Sequence, residues 1–143
     1  MDYGEIRMTY PAELTELIEE FQDVDDKMER LEMVFDLSDE VIPLPPSAWT
    51  QESKIHGCQS EAHVKVELQD GKVILLSGAD AKLVQGLMGI LSIAINGTAP
   101  AQALLLSPDF AEEMGILNSL SPSRSNGFRN MFDKVMKEIR MFV

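Results

Sequence analysis

Leu14, Leu17, Ile18 and Phe21 recur three and four positions apart behind Pro11, and Met28, Leu31, Val34 and Phe35 repeat that interval after Asp25-Asp26. Both runs predict amphipathic helices that bury one face. Ile42 to Trp49 holds Pro43, Pro45 and Pro46, which lack the amide hydrogen that helices and central strands use, so a connecting loop is expected there. Trp49 at its end is expected to cover apolar surface. The period then shortens to two: His63, Lys65, Glu67 and Gln69 alternate with Val64, Val66 and Leu68, Asp70-Gly71 supplies a turn, and Val73 to Leu76 resumes as a strand. This is a β-hairpin pattern. Ser53 to Cys58 leads into it as a third strand or an extended loop.

From Ala81 to Ile95 the apolar positions Leu83, Val84, Leu87, Met88, Ile90, Leu91, Ile93 and Ile95 cover nearly every face. That predicts a central buried helix, with Asp80 as its N-cap, Gly86 and Gly89 as points of close packing, and Asn96-Gly97 as its stop. Short helical pieces follow near Ala99–Leu106 and Pro108–Leu117, then a serine-rich loop, Ser119–Ser125. Phe128, Met131, Phe132, Val135, Met136 and Ile139 put the last segment, Gly127–Val143, on one apolar stripe.

Charge narrows the range of functions. Twelve basic residues face 24 acidic ones, a net charge of −12, and residues 1–40 alone carry 14 acids against 3 bases. Phosphate neutralisation has little to work with, so no nucleic-acid partner and no anionic membrane surface are expected. The acids read as solvated outer helix faces, with docking of a basic partner as the alternative. The longest near-apolar run, Leu87–Ile95, is nine residues against roughly 20 for a membrane span. Met1–Tyr10 carries Asp2, Glu5 and Arg7 and no apolar stretch. A soluble cytoplasmic chain is expected, with residues 1–143 forming a single domain.

Cys58 is the only cysteine, so the chain can form no internal disulfide and cannot supply a Cys₄ cluster or zinc set alone. It sits in Lys54-Ile55-His56-Gly57-Cys58-Gln59-Ser60, where the glycine permits a tight turn and the cations favour a thiolate. Taken by itself the heptapeptide leaves a reactive thiol and a buried small hydrophobe both open. Cys58, His56, His63 and Glu61 show no metal-ligand spacing, and no phosphate-binding glycine motif occurs, so neither metal nor nucleotide cofactor is expected.

Three ordered patches resemble the SufE-type cysteine desulfuration proteins, sulfur acceptors of iron–sulfur cluster assembly. Ile55-His56-Gly57-Cys58-Gln59-Ser60 is similar to that family's cysteine loop. Ser77 to Leu87 is similar to the start of its central helix, and Leu120 to Phe128 to the loop opening its last helix. The chain departs where many relatives have a tryptophan five positions after the cysteine, here His63, and where a basic residue is common, here Gln85.

The resemblance implies an α+β fold of the SufE/NifU-like kind, a small antiparallel sheet packed against several helices. It implies that Cys58 takes sulfur from a pyridoxal-phosphate cysteine desulfurase, whose activity it stimulates, and passes it to an iron–sulfur cluster scaffold. The chain itself would then need no cofactor and would act as a carrier rather than a stand-alone enzyme. Cys58 would be supported by His56, Gly57, Gln59 and Ser60, with Lys54, His56 and Arg124 as electrostatic helpers and Arg124, Asn126 and Gly127 on the partner surface. A thiol hydrolase pairing Cys58 with a histidine, and a non-catalytic adaptor, stay open as alternatives, as does a homodimer.

Overall fold

The computed structural model describes residues 10–58 and 60–143; Met1–Thr9, with Asp2, Glu5 and Arg7, and Gln59 lie outside the described residues. The two leading helices form as their spacing predicts: α1 (Ala12–Gln22) buries Leu14, Leu17, Ile18 and Phe21, and α2 (Lys27–Asp36) is capped by Asp26, whose carboxylate accepts from Met28 N. The inward stripe of α2 is narrower than predicted. Val34 is buried and Leu31 and Met33 pack against the core partly buried, but Met28 and Phe35 are exposed.

After a 3₁₀ turn, Leu37–Glu40, the proline-rich stretch departs from the expected loop. Ile42–Pro43 forms β1, pairing in parallel with β3 at Leu76 and Ser77. Proline is tolerated because β1 is an edge strand, and Leu44 N beyond it donates to Ser77 O at 2.9 Å. A second 3₁₀ turn, Pro46–Ala48, leads to Trp49. Strands β2 (Ala62–Gln69) and β3 (Lys72–Ala79) form the predicted hairpin, in register from Ala62↔Ala79 to Gln69↔Lys72. Asp70 and Gly71 both take left-handed φ, 53° and 76°, as a two-residue hairpin turn requires. The sheet order is β1-β3-β2. Segment 53–58 is an extended loop touching the sheet through one bridge, Lys54↔His63, and the alternation breaks beside it: His63 is buried and Leu68 exposed.

β3 runs three residues further than predicted, and this displaces Asp80 from the capping role. Asp80 lies opposite Glu61, giving its N–H to Glu61 O (3.0 Å) and accepting Glu61 N–H on Oδ1 (3.1 Å). The central helix α3 (Lys82–Ile95) starts after Ala81 without a side-chain cap and buries ten of its residues against β3, α1, α2 and the 37–40 turn. Gly86 and Gly89 permit that approach: a Cβ at either would run into the carbonyl oxygen of Val34 or Leu37. Helices α4 (Pro100–Ala103), α5 (Asp109–Glu113) and α6 (Ile116–Ser119) follow, with Gly115 at φ 77° breaking the predicted 108–117 helix in two.

The last helix, α7 (Pro122–Arg140), begins five residues earlier than its apolar stripe suggests. Ser121 Oγ accepts from Arg124 N at 3.3 Å and Pro122 occupies the first turn, an N-cap followed by proline. Arg124, Asn126 and Gly127 are therefore helical and fixed in direction rather than parts of a loop. α7 packs across β2 and α3 and closes the core with Phe128, Met131, Phe132, Val135, Met136 and Ile139.

Candidate functional site

The segment carrying Cys58 leaves the sheet and returns to it. Ile55 N donates to Ala62 O and Val64 N to Ser53 O, each at 2.9 Å, so residues 56–58 and Ser60 project beyond a base pinned by the fully buried Ile55. Gly57 at φ 82° makes the sharp turn before the cysteine, a conformation that other residues rarely adopt.

One face of α7 receives this loop. Arg124 Nη1 donates to Ser60 Oγ (2.7 Å), Asn130 Nδ2 to Gly57 O (3.2 Å) and Lys134 Nζ to Glu52 O (2.7 Å). Positions three and four apart share a helix face, so the ladder follows once the helix is set beside the loop. Gly127 lies between these hooks; a Cβ there would be 3.5 Å from Cys58 Sγ, so the missing side chain leaves space beside the sulfur. Cys58 is half-buried in a small cleft lined by Val84, Leu87, Arg124, Gly127, Phe128 and Met131.

The cations proposed from sequence are dispersed. Arg124 lines the cleft, whereas Lys54 directs its ammonium towards Glu61 (4.0 Å) and His56 is exposed on the turn. Asn126 is exposed on the first turns of α7. Gln85 serves the fold locally, donating through Nε2 to Ala79 O at 2.7 Å, where the strand ends and α3 begins.

His63 is 4% exposed and both ring nitrogens are engaged, Nδ1 with Ser53 Oγ (2.7 Å) and Nε2 with Glu61 Oε2 (2.6 Å). Trp49 stacks on the imidazole at 4.7 Å between centroids and donates its indole N–H to Leu44 O (2.9 Å). Trp49 thus covers a histidine, and His63 braces the loop base instead of facing the thiol. Asn130 and Ser53 belong to this arrangement and were missed in the sequence. The only signal for Asn130 was its place one turn along from Gly127 on the face that carries Met131.

Residues 15–139 match the family model described as SufE: Fe-S metabolism associated domain. An uncharacterized SufE-like protein of Synechocystis sp. is 36% identical over 124 residues, covering 87% of this chain and 78% of that protein. SufE-like protein 1, chloroplastic/mitochondrial, of Arabidopsis thaliana is 30% identical over 95% of this chain, which spans 38% of that protein's length. The cysteine desulfuration protein SufE of Plasmodium vivax is 36% identical over 89 residues, 59% of this chain and 37% of that protein. The solution structure of a hypothetical protein from Thermus thermophilus superposes with a TM-score of 0.79 at 24% identity, over 93% of this chain and 97% of that one, and shows the same fold. Among the described residues no helix is long and apolar enough to cross a membrane. With the α+β architecture, the cysteine loop and the family match in agreement, the chain belongs to the SufE family of Fe-S metabolism associated domains.

Proposed function

We propose that this chain is a sulfur acceptor that takes persulfide sulfur onto Cys58 from a cysteine desulfurase and hands it to an iron–sulfur cluster scaffold, stimulating the desulfurase by clearing its sulfur. The Cys58 thiolate attacks the terminal sulfur of the desulfurase persulfide. A new Sγ–S bond forms, the donor's S–S bond breaks, and the donor cysteine leaves as thiolate, so the exchange is balanced with no outside oxidant or reductant. A scaffold thiolate then attacks the terminal sulfur on Cys58 in the same way and restores the Cys58 thiolate. The pyridoxal phosphate that frees sulfur from cysteine belongs to the desulfurase, and transfer needs no cofactor on this chain.

The observation that carries this reading is the seating of Cys58: a lone thiol on a glycine turn, set against apolar side chains and one guanidinium. Persulfides oxidise and are reduced in water, and a sheltered cleft protects the cargo between donor and acceptor. Gly127 leaves room next to the sulfur. The engagement of both His63 nitrogens speaks against a hydrolase that pairs Cys58 with His63, since that imidazole is not free to take a proton from Cys58. We assign the chain to the reducing cytoplasm, where a thiol carrier stays competent, although the Arabidopsis thaliana relative is named for organelles.

The test is intact mass after incubation with a cysteine desulfurase and cysteine. The wild type gains one sulfur atom and Cys58→Ser gains none. An adaptor would stimulate the desulfurase equally well as Cys58→Ser, and that result would overturn the proposal.

A further inference from the structure

The second helix turns an apolar stripe towards solvent. Met28, Leu31 and Phe35 stand three and four positions apart on α2 and so share one face. Val34, on the adjoining face, is the residue that α2 buries completely. Met28 is 63% exposed and Phe35 37%, with Leu31 half-buried between them. The apolar spacing expected to face inward is present, but the fold covers only part of it.

Charge identifies what fits there. The stretch from Asp23 to Glu40 carries eight carboxylates against two cations, Lys27 and Arg30. Arg30 is half-buried and serves the fold, donating from Nε to Val24 O at 2.8 Å. Among the described residues none of the eight carboxylates forms a salt bridge. Glu29, Glu32 and Asp36 border the stripe on its outer side and are exposed. A second copy of this chain using the same face would bring like charges together, and an anionic lipid surface would meet the same repulsion. The complementary surface is an amphipathic helix with its own apolar stripe bordered by Lys or Arg. Met28, unbranched and flexible, adapts readily to such a partner.

The position of this face keeps it apart from the thiol. Gly86 and Gly89 of α3 lie against the carbonyls of Val34 and Leu37, whereas Val84 and Leu87 line the Cys58 cleft. At 3.6 residues per turn these two pairs fall on roughly opposite sides of α3. A segment bound on α2 therefore leaves the cleft open.

We propose that the face of α2 formed by Met28, Leu31 and Phe35 is a docking surface for a basic amphipathic helix of a partner protein, which is held there while Cys58 stays free to react. The surface is read from α2 and its surroundings, and it stands or falls apart from the sulfur-acceptor reading.

The experiment titrates the full chain, followed by backbone amide NMR, with a leucine–lysine peptide of about 18 residues whose leucines repeat at helical spacing. One control peptide has the same composition in an order without that period, and a second has glutamate in place of lysine. The amphipathic basic peptide should give saturable shifts centred on residues 27–36 and bind about tenfold more tightly than the reordered one, while the glutamate peptide should not bind. Replacing both Met28→Ser and Phe35→Ser should remove that tenfold advantage. Met28→Ser alone, at the most exposed position, should already weaken binding about threefold in a protein with an unchanged urea midpoint. Glu16→Gln with Glu19→Gln removes two exposed charges from α1 and should change affinity by less than about twofold. With the peptide bound, alkylation of Cys58 by iodoacetamide should keep its rate within about twofold, as expected for separate sites. Equal binding of the amphipathic and reordered peptides, or shifts spread alike over α1 and α2, would reduce the interaction to general charge attraction and overturn the proposal. Self-association of the free chain that is lost with Met28→Ser and Phe35→Ser would also overturn it, assigning the face to a second copy, and a block of alkylation would overturn its separation from the thiol.

Discussion

Arg124 reaches from the first turn of α7 to Ser60, 64 residues earlier in the chain, donating from Nη1 to Oγ at 2.7 Å while its guanidinium lines the Cys58 cleft. The residue thus combines a hook on the loop with a positive charge beside the sulfur, and two substitutions separate these roles. Ser60→Ala removes the hook alone and should leave sulfur uptake within about twofold of wild type, as expected for a partly exposed bond worth less than ~1 kcal/mol. Arg124→Ala also removes the positive charge that lines the cleft where an anionic donor persulfide must approach and should slow uptake by about tenfold, with less than ~1 kcal/mol lost in a urea melt. Equal uptake by the two variants would assign Arg124 to loop packing alone.

Gly86 and Gly89 set how closely α3 lies against α2 and the following turn. Alanine at either position places a methyl group against the carbonyl oxygen of Val34 or Leu37, and a carbonyl cannot rotate aside as a flexible side chain can. Each substitution should cost about 3 kcal/mol or more by urea denaturation, at the upper end of overpacking effects. A change below about 0.5 kcal/mol would mean that the helix moves outward freely, since that is the usual scale of a surface substitution.

His63 is braced by two hydrogen bonds and a stacked tryptophan. His63→Ala should cost about 2–3 kcal/mol, combining lost bonds with the ring contact. Ser53 keeps its bonds to Thr50 and Glu61 can return to water, which limits the loss. The urea midpoint checks the size, and backbone amide exchange at Ile55 and Val64 should quicken more than in β3, because the substitution loosens the loop base first.

Tyr10 donates its phenolic proton to Glu113 Oε2 at 2.7 Å. Burial first, and then that hydrogen bond and the carboxylate's charge, hold its pKa well above the ordinary tyrosine value. The folded chain therefore keeps a proton that the unfolded chain gives up once the pH passes about 10, and stability falls as pH rises beyond that point. Tyr10→Phe should cost about 0.5–1.5 kcal/mol near neutrality and remove this part of the alkaline loss. Unfolding free energies at pH 7 and at pH values above 10 test both statements; identical alkaline slopes in the two proteins would contradict the second.

Local periodicity was enough to determine α1, the hairpin and the buried central helix. Leu14, Leu17, Ile18 and Phe21 share a face in any helix that contains them, and Asp70-Gly71 readily adopts the left-handed pair that a two-residue hairpin turn needs. The single cysteine on a glycine turn, and the three patches resembling the SufE family, likewise singled out Cys58 without coordinates. What periodicity encodes is which face is buried, not which partner buries it. Tertiary structure decided that Pro43 joins an edge strand, where its missing N–H costs nothing; that Asp80 pairs with Glu61 instead of capping α3; and that Ser121-Pro122 starts a helix within a stretch whose composition suggests a loop. It also decided the setting of the thiol. The hydrogen bonds from Arg124, Asn130 and Lys134 join positions 64, 73 and 82 residues apart, and such pairs become neighbours only when the core has placed α7 beside the loop.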